Sequence, residues 1–111
     1  MEQALGGWIL ILITTSTTEE ARKIAHKLLE EKLVACVNIV EEVESMYWWK
    51  GKIEKSSESL LIIKSRIEKL NEVIKLVKEI HSYTVPEIIA IPIIAGYREY
   101  LNWIDESISN T

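Results

Sequence analysis

Apolar residues fall along this chain in two rhythms, one unbroken or alternating and one recurring every three or four positions, and their succession sets out the elements in order. Trp8-Ile-Leu-Ile-Leu-Ile13 is apolar at every position and rich in β-branched residues. That is the pattern of a strand covered on both faces, and it continues to Thr14. Ser16-Thr-Thr-Glu-Glu20 then marks a helix start, because Thr17 can cap and Glu20 stands three residues on, as a capping box requires. Behind it Ala21, Ile24, Ala25, Leu28 and Leu29 form one apolar stripe. Glu19–Lys23 and Lys27–Glu31 place opposite charges four apart on the wet face.

From Val34 to Trp49 almost every residue suits extended structure. Lys50-Gly51 turns the chain with a two-residue loop, and Lys52 to Ser65 forms a second extended run. At about 3.3 Å per residue these strands reach roughly 50 Å, while the first strand reaches only about half of that. Part of the hairpin therefore projects beyond its own domain. Its tip carries Tyr47, Trp48 and Trp49, apolar surface that a lone subunit would leave bare. The simplest cover is another copy of the same chain, and these three residues are read as a subunit contact, where aromatic anchors concentrate.

Ile67, Leu70, Val73 or Ile74, Val77 and Ile80 make the stripe of a second amphipathic helix, which ends near His81-Ser82 before Pro86. Glu87 to Ile94 is a further buried strand, and its Pro92 places it at a sheet edge or a bulge. Tyr97 to Ser107 closes the chain as a short helix with Tyr100, Leu101 and Ile104 inward. Ahead of the first strand, Met1 to Gly7 reads as a loose leader. The order β-α-β-β-α-β plus a final helix is that of the α+β, ferredoxin-like split βαβ arrangement, with an antiparallel sheet in the order 4-1-3-2 and the long strand two at an edge. Val34 to Val40 is apolar on both faces, so the sheet face away from the helices also needs a cover. One domain has nothing left to supply it, and an oligomer packed sheet against sheet resolves both problems.

A chain of 111 residues is a single domain, 1–111. With 48% hydrophobic and 27% charged residues it folds. The net charge of −4 and the lack of a basic cluster argue against nucleic acid or an anionic membrane as partner. Its one cysteine, Cys36, excludes an intrachain disulfide and fits a reducing compartment. No run is long enough for a secretory core or a bilayer span, so the expected location is cytoplasmic. Abundant Glu and Lys, a single Gln and a preference for Ile lean towards a heat-adapted, thermostable protein.

Candidate chemistry is sparse. Cys36, His81 and Glu87 are possible metal ligands, and thiolate with imidazole suits copper or zinc. Their spacing matches no compact metal motif, so the fold or several subunits would have to gather them. Read without a metal, Cys36 is a small buried hydrophobe. His81 then stabilises the end of its helix, Glu87 starts a strand, and His26 is a solvated helix residue. The Ser/Thr run at Thr14–Thr18 lacks a Gly-rich elbow or phosphate loop, and a thiol in a strand interior is inert, so no catalytic residue is assigned and the chain is read as a non-enzyme.

Four segments together resemble one family. Glu31-Lys-Leu-Val-Ala-Cys-Val-Asn-Ile39, Ser45-Met-Tyr-Trp-Trp-Lys-Gly-Lys-Ile53, His81-Ser-Tyr-Thr-Val-Pro-Glu-Ile-Ile89 and Tyr100-Leu-Asn-Trp103 are similar, in order and spacing, to signature segments of the CutA proteins. The likeness runs from about Ile9 to Ile104. It implies a compact homotrimer of ferredoxin-like subunits and a link to tolerance of divalent cations. It also implies binding of Cu²⁺ or another divalent cation, with no cofactor required for folding and other protein partners unspecified. Two departures stand out. Where the family segment often reads His-Pro-Tyr-Glu, this chain has Ser82 and Thr84, and where some members carry a cysteine at the end of strand one it has Ile13. Other readings are a small-molecule signalling trimer similar to the PII proteins, against which the tight Trp49-Lys-Gly-Lys52 turn counts, and a structural anchor or scaffold.

Overall fold

The computed structural model describes residues 6–109, so the stretch 1–5 of the expected leader lies outside the described residues. Strand β1 (Trp8–Thr15), helix α1 (Thr18–Glu30), strands β2 (Cys36–Trp49) and β3 (Lys52–Arg66), helix α2 (Leu70–Ile80), strand β4 (Ile88–Pro92) and helix α3 (Arg98–Ser107) follow in that order. The sheet runs β2-β3-β1-β4 and every neighbouring pair is antiparallel, the expected arrangement.

Odd-numbered residues of β1 and β3 face the helices. Ile11, Ile13, Leu61 and Ile63 pack there against Ala21, Ile24 and Leu28 of α1 and Val73 and Val77 of α2, all fully buried. The alternating period of the strands meets the helical period along this line, and that fixes the register. Thr17 caps α1 through a bond from the Glu20 N–H to its Oγ1 at 3.0 Å. The reciprocal bond of a capping box does not form, because the Glu20 carboxylate turns instead to the Ser16 N–H and to Ser82.

Several boundaries differ from the sequence reading. Val34 and Ala35 are buried but precede β2, although the Ala35 N–H already reaches the Lys64 carbonyl of β3 at 2.9 Å; Lys32, where the chain leaves α1, takes a positive φ of 57°. Leu29 and Ile67 are exposed at 41% and 50%, so neither belongs to a core stripe, and Ile67–Lys69 is a 3-10 turn ahead of α2. Gly7 is not loose, since its carbonyl accepts the Ile67 N–H at 2.6 Å. Strand β4 stops at Pro92, at the sheet edge, where the missing N–H costs no ladder bond inside the sheet.

Strand β1 opposes β3 only from Ser59 to Arg66. Lys52–Glu58 and the paired part of β2 thus run past the sheet by roughly 20 Å at the usual rise, and the molecule's longest dimension is 44 Å. A bulge at Glu41-Glu42 marks where the hairpin leaves the sheet. The Glu41 carbonyl set free there accepts from Ser59 Oγ at 2.7 Å and Thr18 Oγ1 at 3.2 Å, which ties the hairpin root to the start of α1. At the tip Lys50 and Gly51 both have positive φ, 52° and 78°, as a type I′ turn demands.

The even-numbered face of the sheet is only partly covered. Helix α3 crosses one end of it, burying Leu101, Ile104 and Ile108 against Trp8 and Ala35. Tyr100, expected inward, is 41% exposed. The Trp8 indole N–H reaches the Leu101 carbonyl at 3.2 Å and Asp105 at 3.0 Å, and the Arg66 guanidinium lies over the Trp8 ring and binds Asp105 at 3.0 Å. Beyond this clamp, Val40, Ile89 and Ile91 lie open beside the half-buried Leu10, Leu12, Leu60 and Ile62.

Candidate functional site

His81 follows the last turn of α2 and bonds its own N–H to Val77. Its side chain is wholly buried. Nε2 lies 2.8 Å from the Thr14 carbonyl, which can only accept, so Nε2 carries the proton. Nδ1 accepts the Tyr83 N–H at 3.0 Å. The ring is therefore a neutral strut between β1 and the loop ahead of β4.

Glu20 anchors the same loop from α1. Its Oε1 accepts from Ser16 N–H, Ser16 Oγ and Ser82 Oγ, and its Oε2 accepts the Ser82 N–H at 2.7 Å. Partial burial works to raise its pKa, but the bonds from Ser82 and Ser16 outweigh it and hold the carboxyl below its ordinary value. The chain's departure at Ser82 is thus functional in the fold, because a proline there has no N–H to give. One residue on, the Tyr83 hydroxyl donates to Glu58 at 2.7 Å, reaching the hairpin root. Burial, then the Glu58 carboxylate, push the Tyr83 phenol far above its usual value.

A second polar group sits on the open sheet face. Cys36, Lys64 and Leu10 share one row across β2, β3 and β1. The Lys64 ammonium donates to Asn38 Oδ1 and stands 3.9 Å from the Cys36 Sγ. Tyr100 of α3 also meets the thiol, and burial followed by this contact raises its phenol.

The fold does not gather Cys36, His81 and Glu87. Cys36 shares the Leu10 row, whereas His81 is tied to Thr14, four residues or roughly 13 Å further along β1. Both His81 nitrogens are engaged, so neither offers a free lone pair to a metal. Cys36 faces a fixed cation, and Glu87 is exposed elsewhere. Among the described residues no cluster of three or more His, Cys, Asp or Glu is placed to hold an ion. These residues therefore do not fit a metal within one protomer. Sequence reasoning missed Glu20, Lys64 and Tyr83 as the centres of the polar groups. The only available signal was Ser82 in place of proline, since its consequence depends on how the loop folds.

The hairpin tip is as bare as the sequence requires: Trp48 is 74% exposed, Trp49 57% and Tyr47 43%. A split βαβ sheet with one unfinished face, an overhanging aromatic hairpin and a helix-end histidine strut defines a small ferredoxin-like α+β domain of a single type. A family model described as CutA1 divalent ion tolerance protein matches residues 9–107. The divalent-cation tolerance protein CutA of Archaeoglobus fulgidus is 53% identical over 98 residues, covering 88% of this chain and 95% of that protein. The chloroplastic protein CutA 1 of Oryza sativa subsp. japonica is 44% identical over 99 residues, covering 89% of this chain and 56% of that protein. A solved structure described as the periplasmic divalent cation tolerance protein CutA from Archaeoglobus fulgidus superposes with a TM-score of 0.89 at 51% identity, covering 92% of this chain and 99% of that one. The chain belongs to the CutA divalent-cation tolerance family. Names within that family thus include a periplasmic and a chloroplastic member, and among the described residues of this chain no helix is long and apolar enough to cross a membrane.

Proposed function

We propose that the chain acts as a homotrimer in tolerance of divalent cations, in the cytoplasm and without catalysing a reaction. The observation that carries the assembly is the unfinished apolar face continuing onto a hairpin that overhangs its own sheet. A hairpin of one copy resting on the open face of the next is a contact between two different patches. Contacts of that kind close into a ring when the rotation between copies closes, and three is the number the family likeness implies. The tolerance role rests on the family match. The lone Cys36 fits a reducing compartment. The two-residue turn at Lys50-Gly51 leaves no long loop of the kind a PII-like signalling reading requires.

A cation such as Cu²⁺ would be met between copies. The reachable soft donor is Cys36 on the open face, Glu87 is an exposed carboxylate, and His81 is not available. Titration calorimetry of the protein with Cu²⁺ tests this. Cys36→Ser and Glu87→Gln weaken binding, and His81→Gln leaves the affinity unchanged. Equal affinity in the Cys36→Ser and Glu87→Gln variants and the wild type would remove both residues from any site.

A further inference from the structure

Lys64 is out of place on the surface it occupies. It lies on β3 with Leu10 on one side and Cys36 on the other, and Ile62 and Leu60 follow on the same face. An ammonium has three donors, and among the described residues Asn38 and Cys36 answer two of them. If a sister copy covers this face, the third must find an acceptor or be buried unpaired, which is expensive.

The same face supplies an acceptor elsewhere on the chain. Even-numbered β3 residues continue from Lys64 onto the overhanging hairpin as Glu58, Ser56 and Glu54. Glu58 already accepts from Tyr83. Glu54, opposite Tyr47, is exposed and has no ion pair among the described residues. Ten residues of strand, roughly 33 Å, separate Glu54 from Lys64, so the two cannot meet within one copy. They can meet when the hairpin of one copy lies along the open face of another, and each such contact leaves a further Lys64 and a further Glu54 to continue the ring.

We propose that, in the assembly, the Lys64 ammonium of one copy is met by the Glu54 carboxylate of its neighbour's hairpin, and that this pair sets which patch docks on which. The inference rests on the homotrimer reading. A polar contact inside an apolar interface does little for affinity against an apolar substitute but penalises every misplaced docking.

The test is charge reversal read by light scattering over a dilution series. Lys64→Glu and Glu54→Lys each raise the concentration at which half the chains are assembled, by at least about tenfold. The Lys64→Glu/Glu54→Lys double variant returns to within about threefold of wild type. Far-ultraviolet circular dichroism of each variant separates lost assembly from lost folding. Lys64→Gln and Glu54→Gln serve as milder versions, each losing assembly less steeply than its reversal. A double variant no better than either reversal overturns the pairing while leaving the trimer standing. Reversals that assemble like the wild type also overturn it. A wild type that is monomeric overturns the trimer and the pairing together.

Discussion

Replacing Glu20 by glutamine isolates the clamp that joins the start of α1 to the loop ahead of β4. Four donors, two from Ser16 and two from Ser82, converge on the two carboxylate oxygens, and the side chain is only 12% exposed. Glutamine keeps the size but offers one oxygen and a competing NH2, so with its oxygen at the Oε1 position, where three donors meet, the Ser82 N–H loses its acceptor and the other three bonds lose the charge. Hydrogen bonds to a charged group are each worth about 1.5–3 kcal/mol net, against about 0.5–1.5 for neutral ones. The negative charge at the first turn of α1 adds about 0.3–1 kcal/mol through the helix dipole. The expected loss is about 2–4 kcal/mol, measured by denaturant unfolding at fixed protein concentration because assembly couples to stability. The effect is also pH-dependent. Glu20 is held below its ordinary pKa, so its contribution is present above the unfolded value near 4.5 and is lost as pH falls through the lower folded value. Glu20→Gln therefore converges on wild type in acid. A loss under about 0.5 kcal/mol at neutral pH, or an equal gap at every pH, would refute the clamp.

Ser82→Ala removes the hydroxyl donor and Ser82→Pro removes the N–H as well, so the proline variant is the less stable of the two by about 1–2 kcal/mol in the same assay. Equality would mean that the 2.7 Å bond to Glu20 contributes nothing. Tyr83 is the described tyrosine pushed furthest above its ordinary pKa, so in an ultraviolet titration one phenol ionises well after the others, and Tyr83→Phe abolishes that late step. Because the folded value is raised, the contribution of Tyr83 holds below pH 10 and fades as pH rises through the folded value. Gly51→Ala costs about 1–2 kcal/mol from its φ of 78° alone, since a Cβ there meets nothing within 4 Å. No loss in thermal unfolding would mean that the turn relaxes freely.

The sheet order and the overhang were legible because periodicity and strand length are local. Trp8–Ile13 reads as a doubly covered strand, and Lys50-Gly51 fixes where the hairpin turns. What escaped depends on distances across the fold. Tyr100 and Leu29 carry the apolar pattern yet stay exposed, because α3 covers only one end of the open face and α1 turns Leu29 away from the sheet. His81 was read as stabilising the end of its helix, but its ring turns away from the helix carbonyls and bonds Thr14, 67 residues away, and Tyr83. Cys36, His81 and Glu87 were grouped by donor chemistry alone, and the register of β2 on β3 places Cys36 beside Lys64, away from His81. Lys64 and Glu54 look like ordinary strand charges until the face they share is known to be apolar and unfinished.

The central claim is that an open sheet face and an overhanging hairpin are completed by sister copies. Static light scattering coupled to size exclusion, at micromolar concentration, measures it most directly. The account predicts a mass three times the 12.8 kDa of one chain. A stable species of 12.8 kDa, soluble with its Trp48 and Trp49 in water, would contradict it.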